Sequence, residues 1–259
     1  MLGAITGDII GSPYEPGGRQ IKTTEFPLFQ ERSRFTDDTV LTVAVAHAIL
    51  SDNDYATAIR QFARRYPTAG YGGAFYSWMH SDNSQPYNSW GNGSAMRVSP
   101  VGWAFDSVEE VLQQAERSAA VTHNHPEGVK GAQATALAVF LARQGDSKQT
   151  IKHEITQRFS YDLDRTLDQI RPAYRFDVSC RGSVPQSIVA FLESDSYEDA
   201  VRKAISLGGD SDTMACIAGS IAEAFYRGVP EDIMEQVKRR LPEELLEIVE
   251  RFRERFGAG

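Results

Sequence analysis

Apolar positions recur at helical spacing along most of the chain. Within residues 39–50, Val40, Leu41, Ala44, Val45 and Ala48 fall at i, i+1, i+4, i+5 and i+8, one face of a helix. Val129, Ala132, Ala136, Val139 and Phe140 repeat at three- and four-residue steps across residues 129–143. Residues 187–192, 197–207 and 213–226 carry similar patterns. Ser107 followed by Glu110 reads as a capping box that opens a helix over Val108–Ala120. Pro242, with Glu243 and Glu244, marks the first turn of a polar C-terminal helix. Alternating strand-like runs are nearly absent and β-branched residues are dispersed among alanines. The predicted fold class is therefore all-α.

Glycine- and proline-rich breaks at residues 12–18 and 68–73 are short enough to be loops rather than linkers. No repeat or low-complexity tract divides the chain, so a single domain over residues 1–259 is expected. With 41% hydrophobic and 24% charged residues, wholesale disorder is excluded. The formal net charge is −8, from 27 Lys and Arg against 35 Asp and Glu. Such a balance argues against a nucleic-acid binder, which needs clustered cations for the phosphate backbone. Cys180 and Cys216 are the only cysteines, too few for a disulfide framework or a Cys-rich zinc site. The segment from Met1 to Asp8 lacks the basic and apolar regions of a signal peptide. The apolar run at 39–50 is shorter than the ~20 residues of a membrane span and contains His47. A soluble, cytoplasmic protein is expected.

Two acidic clusters each stand at a helix start. Thr36-Asp37-Asp38-Thr39 precedes the stripe beginning at Val40, and Gly208-Gly209-Asp210-Ser211-Asp212-Thr213 precedes the helix over 213–226. Helix capping by Asp or Thr, worth about 1 kcal/mol, accounts for one carboxylate per helix but not two. If the clusters face each other, four carboxylates converge. Two charges ~4 Å apart repel by about 4 kcal/mol at an effective dielectric of 20, a cost met by a cation or by raised pKa values. Oxygen donors from Asp and Thr suit hard cations, Mg²⁺ or Mn²⁺, rather than zinc. An Asp-x-Asp pair near one turn lets one carboxylate bridge two metals ~3.5–4 Å apart.

Three further segments are polar and dense in glycine: Gly70-Tyr71-Gly72-Gly73, Trp90-Gly91-Asn92-Gly93-Ser94-Ala95-Met96-Arg97, and Thr122-His123-Asn124-His125-Pro126 ahead of Gly128 and Gly131. Glycine allows backbone N–H groups to approach a phosphate, and a helix N-terminus adds its positive dipole. Trp90 is placed to stack on a base and Arg97 to pair with a phosphate. Taken singly, each segment reads first as an ordinary turn, core aromatic or surface arginine. Gly128 and Gly131 each cost about 1 kcal/mol inside a helix, which suggests close approach of another helix or a ligand. His123 and His125 lack a third nitrogen or sulfur ligand, so His123 is read as a pocket-rim group rather than a zinc ligand. No basic motif activates Cys180 or Cys216, and both are read as structural. Glu15 sits in a loop from which it can reach over a site.

In order and spacing, these segments resemble the ADP-ribosylglycohydrolase family. The resemblance is carried by Gly3-Ala4-Ile5-Thr6-Gly7-Asp8 with Gly11 and Glu15, Thr36-Asp37-Asp38-Thr39, Gly70-Tyr71-Gly72, and Gly91-Asn92-Gly93-Ser94-Ala95-Met96-Arg97. It continues through Thr122-His123, Val184-Pro185 and the run from Ser206 to Thr213. It is weak over residues 18–35, 145–178 and after Arg227. The resemblance implies a compact all-α orthogonal bundle around two Mg²⁺ or Mn²⁺ ions. It also implies ligation by Thr36, Asp37 and Asp38 from one side and by Asp210, Asp212 and Thr213 from the other, with Asp212 bridging. Glu15 matches a carboxylate on a movable flap. Ser89, Trp90, Gly91 and Asn92 fall where family members contact adenosine and diphosphate, with Trp90 stacking on adenine and His123 on the same wall. Tyr71 and Gly72 match a phosphate-contacting loop.

The implied activity is hydrolysis at C1″ of an ADP-ribose conjugate, a modified protein side chain or a small molecule. Its transition state is oxocarbenium-like, and Glu15 or Asp38 takes the proton of the attacking water. Metals, Arg97 and backbone amides must supply positive potential for a diphosphate against the net charge of −8. A monomer suffices for such a site. Two rivals remain. Asp210-x-Asp212 is similar to the aspartyl-phosphate motif of haloacid-dehalogenase-like phosphatases, but Met214 stands where threonine is needed and no strand precedes it. A catalytically silent ADP-ribose-binding or structural protein on the same bundle is the other, against which the retention of costly clustered carboxylates argues.

Overall fold

Helix forms wherever the apolar periodicity predicts it, and also in stretches where it does not. The computed structural model describes residues 1–15, 20–51, 54–82 and 85–257, so residues 16–18 of the expected loop at 12–18 lie outside the described residues. The helices are α1 (Leu2–Gly11), α2 (Asp37–Leu50), α3 (Tyr55–Arg65), α4 (Gly73–His80) and α5 (Gly93–Met96). They continue with α6 (Ser99–Ala104), α7 (Val108–Ala120), α8 (Pro126–Gln144), α9 (Lys148–Phe159) and α10 (Leu167–Ile170). The last are α11 (Cys180–Leu192), α12 (Tyr197–Ile205), α13 (Ser211–Phe225), α14 (Glu231–Lys238) and α15 (Glu243–Phe256). Among the described residues, β pairing is limited to one isolated antiparallel bridge between Gly91 and Ser179. The all-α prediction holds.

Local chemistry explains the boundaries. Ser107 Oγ accepts from Glu110 N at 3.2 Å, and α7 spans the predicted residues. The return bond joins Ser107 Oγ to Glu110 Oε2 at 3.1 Å instead of reaching the cap backbone. Helix α8 begins three residues earlier than predicted because His125 Nδ1 caps it, accepting from Glu127 N at 3.1 Å. Helix α11 runs back to Cys180, past Pro185 in its interior, where a proline would ordinarily end a helix. Pro242 is the N-cap of α15 and not its first helical residue.

The architecture is arranged around α13, whose residues from Ser211 to Ala224 are all buried. Helix α1 is buried on every side and lies along it. The two backbones approach through glycine at four-residue steps. A Cβ on Gly3 would stand 2.5 Å from Glu223 Cβ, on Gly7 2.7 Å from Cys216 N, and on Gly11 2.5 Å from Asp212 Cα. Each is closer than a real Cβ comes. Tyr197 of α12 braces the pair by donating its hydroxyl to Gly3 O at 2.9 Å. Helices α2, α8, α11 and α12 pack around this centre, burying an apolar core rich in alanine and isoleucine.

The close approach expected at Gly128 and Gly131 is present. A Cβ on Gly128 would meet Ser89 O at 2.6 Å, and one on Gly131 would meet Cys180 Cβ at 2.7 Å. Both cysteines are free and buried, and burial pushes the Cys180 thiol up to about 12, which suits a packing role. No helix among the described residues is long and apolar enough to cross a membrane.

Gly7→Ala tests the central contact. Alanine is favoured in a helix interior by about 1 kcal/mol, whereas overpacking a rigid core costs about 1–3 kcal/mol or more. The colliding atoms at Gly7 belong to the backbone of Ala215 and Cys216, which cannot rotate aside. Urea unfolding should show a net loss of about 2 kcal/mol. A variant as stable as the parent would mean that α1 and α13 can part at no cost.

Candidate metal and substrate site

The N-termini of α2 and α13 meet, and their acidic residues with them. Thr36 is the cap of α2, accepting from Asp38 N at 3.3 Å. Asp210 stands at the N-cap position of α13 but makes no side-chain capping bond. Its carboxylate instead accepts from Asn92 Nδ2 at 2.7 Å. Asp212 Oδ1 accepts from Thr213 N at 2.8 Å, and Thr213 Oγ1 donates to Asp38 Oδ2 at 3.2 Å. That last bond joins the two clusters across 175 positions of chain. Capping accounts for Thr36 and leaves the aspartates for another purpose.

A further carboxylate, Asp8 of α1, organises the meeting. It is fully buried and accepts from Thr36 N at 2.9 Å, Thr36 Oγ1 at 2.7 Å, Thr39 N at 3.1 Å and Thr39 Oγ1. One side chain thus satisfies donors that the first turn of α2 would leave unpaired. Sequence reading placed Asp8 within the resemblance without assigning it to the site. Its only signal there was a charged residue amid apolar and glycine neighbours.

Oxygens of Asp8, Asp38 and Asp212 lie within 4.8 Å of one another, and so do those of Glu15, Asp210 and Asp212. Asp212 belongs to both triads. Burial raises Asp210 and Asp8 to about 6, despite the hydrogen bonds that pull each down. Asp37 is raised to about 8, by burial first and then by the charge of Asp8. Asp38 and Asp212 are pushed well above the usual carboxylate range, by burial first and then by neighbouring carboxylates. Asp38 Oδ1 is buried without a hydrogen-bond partner among the described residues. Clustered oxygen donors, mutual repulsion and an unpartnered buried oxygen together fit a hard divalent cation.

A cavity of 400 Å³ opens over this cluster. Its lining brings together Glu15, Asp37, Asp38, Asp210, Asp212 and Thr213 with Gly72, Ser89, Gly91, Asn92, Arg97 and His123. Three expected site residues do not line it. Thr36 is buried, its hydroxyl hydrogen given to Asp8. Tyr71 stacks its ring on Phe75, with centroids 5.0 Å apart, and Phe75 forms the wall. Trp90 is 51% exposed outside the cavity, while its backbone carbonyl accepts from Cys180 N at 3.0 Å. Phe176, Val178 and Tyr87 line the cavity and were not foreseen. Phe176 and Val178 belong to the stretch where the family resemblance is weak.

Arg97 and His123 work differently from the expectation. Arg97 is fully buried, with Nη2 donating to Ser118 O at 2.8 Å and to Thr122 Oγ1 at 3.0 Å. It is a cation set inside the wall and not an exposed clamp. His123 Nδ1 lies 2.7 Å from Thr122 Oγ1, and burial, then Arg97, holds its pKa well below the usual value. The imidazole is therefore neutral. Its Nε2 lies 3.1 Å from where a Cβ on Gly93 would stand, so the Gly-Asn-Gly turn leaves room for the ring.

The geometry defines an all-α bundle with an acidic centre beneath a polar cavity. The sequence profile of the ADP-ribosylglycohydrolase family matches residues 1–259, and the chain belongs to that family. Among its relatives, human ADP-ribosylhydrolase ARH3 is 29% identical, the match covering 87% of this chain and 84% of the relative. ADP-ribosylarginine hydrolase Tri1 of Pseudomonas putida (strain GB-1) is 25% identical over 92% of this chain and 72% of its own. A solved structure described as an ADP-ribosylglycohydrolase-related protein complex shares the fold, with TM-score 0.71 and 22% identity over 98% of this chain and 95% of that one.

The raised carboxylates set a pH dependence. A folded-state pKa above the unfolded value of about 4 means that stability is greatest below that pH and declines as pH rises through the folded pKa. Asp210 at about 6 and Asp37 at about 8 place the decline between pH 4 and 8. Chelated protein should show a falling Tm from pH 5.5 to 8.5, and Mg²⁺ or Mn²⁺ should raise Tm more at pH 8.5 than at pH 5.5. A Tm indifferent to both would dissociate the cluster from cation binding.

Proposed function

We propose that this protein is a divalent-metal-dependent hydrolase that releases ADP-ribose from a conjugate by breaking its bond at C1″. The observation that carries the proposal is the sharing of Asp212 by two carboxylate triads at the floor of a cavity. In this reading Thr36, Asp37, Asp38, Asp210, Asp212 and Thr213 would hold two Mg²⁺ or Mn²⁺ ions. The ions would supply Lewis acidity toward the distal ribose and lower the pKa of a water. The relatives' names support the substrate class: they are ADP-ribosylhydrolases, one of them acting on ADP-ribosylarginine.

The chain's own residues have distinct tasks. Asn92 fixes one oxygen of Asp210, and Asp8 fixes the start of α2, so the donors are preorganised. Glu15 lines the cavity beside Asp210 and Asp212, where its carboxylate can take a proton from the attacking water; Asp38 is the second candidate for that base. Ser89, Gly91, Gly72 and neutral His123 provide uncharged walls for a diphosphate, and Arg97 adds positive potential from within. Trp90, exposed beside the cavity, offers a stacking surface for adenine, and Tyr71 backs the wall through its stack on Phe75. One chain furnishes every donor, so a monomer suffices.

Asp212→Asn should remove turnover of ADP-ribose conjugates by a factor of more than about 10³ and abolish the metal-dependent Tm shift. Glu15→Gln should lower kcat about 10²–10⁴-fold while keeping that shift. A panel of arginine, serine and O-acetyl conjugates, with and without chelator, reads the leaving group. Undiminished turnover in Asp212→Asn removes the metal role. Metal-dependent ADP-ribose binding without turnover of any conjugate identifies a binding protein instead.

A further inference from the structure

A second cavity, of 340 Å³, shares no lining residue with the carboxylate site. It lies between α8, α11 and the segment joining α9 to α10. Three cations, Lys130, Arg165 and Arg181, line it against one carboxylate, Asp162. In a chain of net charge −8 this is a local reversal of sign. Arg165 and Arg181 make no hydrogen bond, ion pair or ring contact among the described residues. Lys130 keeps its ammonium 4.6 Å from the Tyr161 ring centroid and 3.5 Å from Glu127 Oε1. Asp162 is exposed and accepts from Asp164 N at 3.1 Å.

The deeper wall has unmet hydrogen-bonding capacity. Tyr161 is 4% exposed, yet its buried hydroxyl has no partner among the described residues. Gln186 Oε1, an acceptor also on the lining, is buried and unpartnered among the described residues, suited to a protonated phosphate oxygen or another donor of the ligand. Buried polar groups are ordinarily satisfied, and a pair of this kind beside free guanidiniums marks a place built for a polar ligand. Arginine forks match phosphate oxygens in geometry, and a phenol donates to the same oxygens.

We propose that this cavity binds the phosphate group of a small molecule, with Arg165 and Arg181 gripping its oxygens, Tyr161 donating from beneath and Lys130 closing the side. The phosphate has two sources, free inorganic phosphate or a nucleotide monophosphate.

Titration calorimetry at low ionic strength, on chelated and desalted protein so that the carboxylate site holds no metal, separates them. Inorganic phosphate and AMP are the probes. Saturable binding of one equivalent is expected, weakened at least tenfold in Arg165→Ala/Arg181→Ala and about threefold or more in Tyr161→Phe. Both arginines are exposed, so the double variant should fold, which its thermal melt checks. Asp212→Asn should bind phosphate as the parent does, whatever its effect on hydrolysis. Tighter binding of AMP than of phosphate assigns the nucleotide; equal binding assigns the free ion. Absence of saturable binding, or binding untouched by the double arginine variant, overturns the proposal.

Discussion

The acidic centre depends on two helices lying backbone to backbone. Gly3, Gly7 and Gly11 let α1 come closer to α13 than any side chain would permit. That approach sets Asp8, adjacent to Gly7, beside Asp212, whose Cα faces Gly11. Asp8 then takes the donors of Thr36 and Thr39, which fixes where α2 begins. Asp38, one position into that helix, meets Thr213 of α13. Each glycine inside a helix costs about 1 kcal/mol relative to alanine. The arrangement therefore sacrifices helix stability to gain proximity of oxygens.

Two helix N-termini aim at these oxygens, and each carries roughly half a positive charge. That offsets part of the cost of gathering Asp8, Asp37, Asp38, Asp210 and Asp212, whose carboxyls are still raised, by burial first and, for Asp37, Asp38, Asp210 and Asp212, by neighbouring carboxylates as well. A cation held by these oxygens would offset the remainder, at the floor of a cavity whose other polar wall is uncharged. His123 is kept neutral by burial and by Arg97, and Arg97 is kept from solvent by Ser118 and Thr122. The site thus separates its charges: negative on the floor, positive behind the wall, neutral where a diphosphate would lie.

The sequence disclosed those parts whose local pattern survives in the fold. Helix α7 was legible to the residue because one face is apolar and its Ser107 cap is local. Helix α1 was not, because it is buried on all sides and has no polar face to set a period. Pro185 concealed the first half of α11, and α9 lay in a stretch where no element was read. Amphipathic α3 and α14 carried periodicity that went unread. At the site, the clusters at Asp37 and Asp210 announced themselves by charge that capping did not explain. Asp8 did not, since a lone buried carboxylate gains meaning only from partners 28 and 31 positions away. Phe176 and Val178 are ordinary residues in sequence and acquire a role only through where the chain from α10 to α11 passes.

That division bears on where specificity resides. The carboxylate floor is held by helices whose contacts are backbone to backbone, so altering it disturbs the core itself. The outer wall is made by exposed groups, Phe176 at 46% and Val178 at 43%, on a segment between helices. Substitution there changes the shape and polarity of the cavity mouth without touching α1 or α13. Under the proposed function, the distal ribose would face the carboxylate floor, while the leaving group would face side chains that the fold leaves free to differ. Discrimination between conjugates would then be physically separable from the chemistry, resting on residues such as Phe176 and Val178 that carry no motif.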